Sequence, residues 1–206
     1  MFISTWDTGM SGQASPRRSE WIQGLIPKIF DKDGNQHPQE NGDAIKDEGI
    51  FEVKDPDEIY AVIDDGSKRY KGVIPEDRYH DPYMPMDELV GEMKRMRFYG
   101  YRKDLKLIGI MAKEPIKDVT LMRHAYVLTE HQGKGIGSKL LAFVEKQIDT
   151  EWLLIGTWKS ATWAIDFYKK HGYELLDNKD DLLRKYWDIP ERQIETSCVL
   201  GKKMRP

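Results

Sequence analysis

The sequence is short of several things, and each shortage narrows what the protein can be. It has a single cysteine, Cys198, in 206 residues, which excludes a disulfide framework within one chain and suits a reducing compartment. Cys198 stands in the alternating run QIETSCVL, where a buried strand thiol is expected rather than a nucleophile. No apolar run approaches the roughly 20 residues a membrane-spanning helix needs. The opening MFISTWDTGM has no basic segment followed by an apolar core, so no secretory signal is expected and a cytoplasmic location is. Neither sign of charge is in excess: 32 Lys and Arg face 35 Asp and Glu, a net charge of −3. That gives no electrostatic case for nucleic acid or an anionic membrane as a partner. Internal repeats and low-complexity tracts are also lacking.

What is present divides at about residue 48. Residues 1–48 read as an N-terminal extension and polar linker, because DKDGNQHPQENGDAIKDEG (31–49) is rich in Gly, Asn and Asp. Within the extension, Ser15-Pro16 predicts the start of a short helix with Trp21, Ile22, Leu25 and Ile26 on one face. That stripe would pack on the main domain or on a second copy of the chain, which admits a homodimer. Residues 49–206 read as one domain.

From Ile50 the pattern is regular. IFEV predicts a strand, and Asp55-Pro56-Asp57-Glu58 predicts a capped helix start. Ile59, Val62, Ile63 and Tyr70 would form that helix's inner face, and Leu89, Val90, Met93 and Met96 the inner face of a second helix. RFYGYR and LKLIGIMA flank a Lys103-Asp104 turn and predict a hairpin. VTLMRHAYVL (119–128) predicts another strand. After it comes HQGKGIGSKLL, with three glycines in five positions, and then Leu140, Leu141, Val144 and Ile148 at helical spacing. A helix is therefore predicted from about Gly135 to Asp149, followed by a strand at 152–157, a helix carrying Tyr168, and two closing strands.

A strand, glycine loop and helix in this order form an anion site, because the first N–H groups of a helix lack internal partners and sit at the positive end of its dipole. A Walker loop would need Lys followed by Ser or Thr, whereas Ser138 precedes Lys139. A dinucleotide fingerprint would need G-x-G-x-x-G and an acid at the end of the next strand. Here the spacing is Gly133-x-Gly135-x-Gly137, and that strand ends in Thr157 and Trp158.

The remaining pattern, Gln132-x-x-Gly135-x-Gly137, resembles the pyrophosphate loop of the GNAT superfamily of acyl-CoA-dependent N-acetyltransferases. ATWAIDFYKKHGYEL (161–175) resembles a second signature of that family, although the family often has Asn where Ala161 stands. The resemblance spans roughly residues 50–203. It implies an α/β (α+β) GNAT fold: a mixed central sheet of about seven strands, flanking helices, and a splayed parallel strand pair holding acyl-CoA. The implied cosubstrate is acetyl-CoA, with no metal. Its pyrophosphate would rest on Gly133, Lys134, Gly135, Ile136 and Gly137, with Gln132 holding the loop. Its pantetheine arm would run along Ala125 and Val127, and the Val127 N–H would serve the oxyanion.

Tyr168 lines up with the tyrosine that acts as general acid in many members; its alternative is a core aromatic. His124, on the cofactor strand, is a candidate base, with a structural histidine as the alternative. Glu130 is a weaker candidate, against a plain exposed loop acid. Tyr79, His80, Tyr83, Met84 and Met86, with Trp158 and Trp163 near the other wall, suit a partly apolar pocket for a small-molecule or peptide amine acceptor. The resemblance implies acetyl transfer to a primary amine by direct attack in a ternary complex. The competing reading is a non-catalytic acyl-CoA sensor or assembly module.

Overall fold

A computed structural model of the chain describes residues 48–204, and the backbone of a separate antiparallel ladder pairing Ile29–Phe30 with Gln36–His37. Residues 36–37 of that ladder fall inside the stretch expected to be linker. The helix expected after Ser15-Pro16 lies outside the described residues.

The main body is a seven-stranded sheet. Its strands are β1 (Glu48–Val53), β2 (Arg97–Lys103), β3 (Lys106–Ile116), β4 (Val119–Val127), β5 (Trp152–Trp158), β6 (Glu174–Leu175) and β7 (Ser197–Lys203). They lie in the order β1-β2-β3-β4-β5-β7-β6, and only β4 and β5 run parallel. Helices α1 (Pro56–Ser67) and α2 (Met86–Met93) join β1 to β2. Helix α3 (Ile136–Glu145) joins β4 to β5, and α4 (Thr162–Lys170) follows β5. This is the mixed α/β architecture of the GNAT fold.

Local chemistry places these elements. Asp55 caps α1 by accepting from the N–H groups of Asp57 (2.9 Å) and Glu58 (3.4 Å), and Pro56 takes the first helical position, where no N–H is needed. Helix α4 ends in a Schellman motif. Tyr173 N–H donates to Tyr168 O (3.1 Å), Gly172 N–H donates to Lys169 O (3.0 Å), and Gly172 adopts φ +82°. Ile59, Val62 and Ile63 of α1 and Leu140, Leu141 and Val144 of α3 are fully buried, as their spacing predicts.

Several expectations need correction. Helix α3 stops at Glu145, so Ile148 packs from the following turn. The hairpin turn is Asp104-Leu105, both with positive φ, one residue later than expected. In α2 the buried residues are Leu89 and Glu92, whereas Val90 is 41% exposed. Residue 92 lies three positions after Leu89 and shares its face, while residue 90 is rotated about 100° away. Two further helices, α5 (Lys179–Tyr186) and α6 (Glu191–Glu195), stand between the closing strands. Among the described residues no helix is long and apolar enough to cross a membrane.

Candidate active site

The β4–β5 ladder begins at Val119↔Trp152 and ends at Met122↔Ile155; beyond that pair the two strands separate. The cause is a β-bulge on the other side of β4. Arg123 pairs with Ala112 and Tyr126 with Ile110, so His124 and Ala125 together face the single residue Met111. His124 takes φ +48°, a left-handed conformation that is uncommon for a residue with a side chain. A bulge sharpens the local twist and bends the strand, and here it turns the end of β4 away from β5.

The opening is a cleft of about 360 Å³, in the range of small-ligand sites. One wall is the edge of β4, with Ala125, Tyr126 and Val127. The other is β5 with Ile155, Gly156 and Thr157, backed by Trp163, Ala164, Phe167 and Tyr168 of α4. Gln132, Gly133, Gly135 and Gly137 close one end, and Gly66, Arg69 and Tyr70 the other side. Lys134 is exposed and is not part of the lining, and the buried Ile136 contributes to it.

The protein's own packing does not require glycines in this loop. Gly133 (φ +75°) and Gly135 (φ +79°) take conformations that favour glycine, yet a Cβ at either would meet no protein atom within 4 Å. No side chain caps the N-terminus of α3, so its first N–H groups face the cleft end without an intrahelical partner. Gln132 ties the loop to the end of β4: its Nε2 donates to Val127 O at 3.1 Å, and its Oε1 accepts from Arg69 Nη1 at 3.3 Å. His171 sets the spacing between α3 and α4. Its Nδ1 donates to Phe167 O (2.7 Å), which leaves Nε2 to accept from Ser138 Oγ (2.9 Å).

Tyr168 lines the cleft and is 4% exposed, with Phe167 and Tyr173 edge-on to its ring at 5.0 and 5.6 Å. Burial pushes its hydroxyl well above the usual tyrosine range, so it stays protonated at neutral pH. Tyr70, across the cleft, is pushed up by burial to about 12 despite a hydrogen bond with Thr157, and Tyr126 is raised likewise. These hydroxyls are donors and not bases.

His124 is placed elsewhere than a base should be. It is 1% exposed, it does not line the cleft, and its Nε2 is hydrogen-bonded to Glu92. Its ring stacks on Phe98 at 5.6 Å. Glu92 in turn belongs to a buried ionic cluster. Arg123 Nη2 reaches Glu92 at 3.2 Å and Arg123 Nη1 reaches Glu114 at 3.0 Å; Arg95 bonds the same two carboxylates at 3.0 and 2.7 Å. Burial would raise the Glu92 carboxyl, but the attraction of His124, Arg123 and Arg95 prevails and holds it at about 2. Glu130 is an exposed loop acid paired with Lys106 at 3.1 Å. Cys198 is a buried strand thiol opposite Thr157, and burial raises its pKa.

Of the residues expected around the acceptor, Trp163 lines the cleft. Tyr83 and Met84 are core, Trp158 is buried outside the lining, and His80 is exposed. Sequence reasoning missed Arg69 and Tyr126. One signal was available for Tyr126: Gly66 interrupts the helical pattern of α1, and a Cβ there would lie 3.0 Å from Tyr126 Cβ.

Residues 94–175 match the family model of the acetyltransferase (GNAT) domain. That stretch, 82 of the chain's 206 residues, is similar to the domain of the GNAT acetyltransferases. Its fold is similar to that of PaiA N-acetyltransferase from Thermoplasma acidophilum, solved in complex with coenzyme A (TM-score 0.59, 20% identity, 76% of this chain and 98% of that one). It is also similar to a GNAT-family acetyltransferase from Staphylococcus aureus (TM-score 0.59, 15% identity, 77% and 99% covered). A third similar structure is the ribosomal-protein-S18-alanine N-acetyltransferase from Escherichia coli (TM-score 0.54, 13% identity, 77% and 95% covered). At these identities the likeness is one of fold. None of the curated proteins compared with the chain matches it.

Proposed function

We propose that the chain transfers the acetyl group of acetyl-CoA to a primary amine by direct attack in a ternary complex. The observation that carries this reading is the cleft itself: a bulge-opened strand pair with an uncapped, glycine-lined helix start at one end and a protonated tyrosine within it. The N–H groups of residues 133–137 would hold the pyrophosphate, and the edge of β4 at Ala125 and Val127 would bind the amide-bearing arm as an added strand does.

The acceptor nitrogen attacks the thioester carbonyl, and the Val127 N–H stabilises the oxyanion that forms. As the C–S bond breaks, the sulfur takes the bonding pair and Tyr168 donates a proton to it. The product nitrogen gives up its proton to water. His124 is removed from this scheme as a base, because its ring is engaged with Glu92 and does not line the cleft; it is a positioning residue for the bulge. Cys198 has no part in it, since a raised thiol pKa disfavours the nucleophilic thiolate.

The acceptor would be a small-molecule or peptide amine. The alternative of a non-catalytic acyl-CoA sensor predicts binding without turnover. Calorimetry with acetyl-CoA, followed by release of free CoA across an amine panel, tests both. Failure to bind acetyl-CoA would refute the proposal, and binding without transfer to any amine would favour the sensor.

A further inference from the structure

Arg69 has no role in the scheme above, yet it stands at the cleft. It sits on the short 3₁₀ turn after α1, and its guanidinium lies 4.5 Å over the ring of Trp163 on α4. Its Nη1 donates to Gln132, which in turn grips Val127 O at the end of β4. The side chain thus reaches from the α1 side of the cleft to the glycine-loop side. Only weak contacts hold it there: one long hydrogen bond of 3.3 Å and an exposed cation–π contact. Among the described residues no carboxylate forms an ion pair with it, and the cleft lining includes Arg69 and Lys170 but no Asp or Glu. A guanidinium carries five donors in a planar fork that matches an oxyanion, and four of those donors are not spent on Gln132.

We infer that Arg69 is an oxyanion-binding residue that exchanges the Gln132 carboxamide for a charged group of the bound ligands, closing the cleft from the α1 side. This rests on the acyl-CoA reading. The oxyanion has two sources, the pyrophosphate of CoA or a carboxylate on the acceptor.

Titration calorimetry of the wild type and Arg69→Gln with CoA, and with acetyl-pantetheine, which has no phosphate, separates them. If the pyrophosphate is the partner, the variant loses roughly ten- to a hundred-fold in CoA affinity and nothing in acetyl-pantetheine affinity. If the acceptor is the partner, CoA affinity is unchanged. The KM for amino-acid acceptors then rises about ten-fold or more, while that for their decarboxylated amines does not. No change in either arm overturns the inference. A wild type that binds no CoA defeats the acyl-CoA reading separately. Arg69 is then judged with inorganic pyrophosphate alone, which must bind the wild type more tightly than the variant for the inference to stand.

Discussion

Replacing Glu92 by Gln tests whether the buried ionic cluster supports the bulge. The side chain is almost isosteric, so packing survives and the charge alone is removed. In the wild type Glu92 is 1% exposed and accepts from Arg95 (3.0 Å), Arg123 (3.2 Å) and His124. After the change Arg123, itself 5% exposed, keeps its bond to Glu114 and loses the Glu92 carboxylate. Breaking a buried pair by removing one partner costs about 3–5 kcal/mol. For a chain of this size each kcal/mol lowers Tm by about 2–4 °C, so a fall of about 6–20 °C is expected.

The pH dependence has a definite sign. The folded carboxyl is held at about 2 against 4.5 for the free group. Its contribution is therefore complete above the unfolded pKa and is lost as pH falls toward the folded one. The full shift is worth roughly 3 kcal/mol, of which somewhat under half is gone at pH 3.5. The gap between wild type and variant in urea unfolding should accordingly narrow from pH 7 to pH 3.5. A variant within a degree of the wild-type Tm, or a gap that does not change with pH, would refute the reasoning.

Other perturbations address the cleft directly. Gly135→Asp adds a charge where the protein leaves open space. Thermal unfolding should move by only about 1–2 kcal/mol from the left-handed φ, while calorimetry should show CoA binding lost. Tyr168→Phe keeps the ring in its packing against Phe167 and Tyr173 and removes the donor. Turnover should fall about 10²- to 10⁴-fold with the KM for acetyl-CoA little changed, and the deficit should shrink at high pH, where the thiolate leaves unaided. A wild-type rate with chemistry limiting would return Tyr168 to core packing. Cys198→Ala should leave transfer intact, and mass spectrometry that traps an acetyl-Cys198 adduct would overturn the direct mechanism.

The parts of the site that were legible in the sequence are those specified by local rules. Glycine spacing, the apolar repeat of Leu140, Leu141 and Val144, and the Asp55-Pro56 cap all act within one turn of chain, and all appear where expected. The bulge was not legible. Whether two residues of β4 face one of β3 depends on the pairing register, and the left-handed position holds His124 where glycine would have announced it. The turn at Asp104-Leu105 escaped for the same reason, since Leu105 takes φ +61° without a glycine signal. Glu92 escaped because a lone glutamate in a helix is ordinarily solvent-facing. The charged stretch DNKDDLLRKYWDIPERQIE hides two helices in which Leu183, Tyr186 and Ile194 are buried.

The reassignment of His124 follows from the same physics. A non-glycine residue in the left-handed region costs about 1–3 kcal/mol and persists only where its surroundings over-determine it. Here the surroundings are Glu92 bonded to the ring, Phe98 stacked on it, and two arginines holding Glu92 in place. Those residues come from α2, β2, β4 and the turn after α2, and none of them lines the acyl-CoA cleft proposed here. They fix how far β4 departs from β5, and thereby where the Ala125–Val127 edge is offered. A histidine on the cofactor strand thus shapes the site through the backbone: changing it should move binding of the arm and fold stability together.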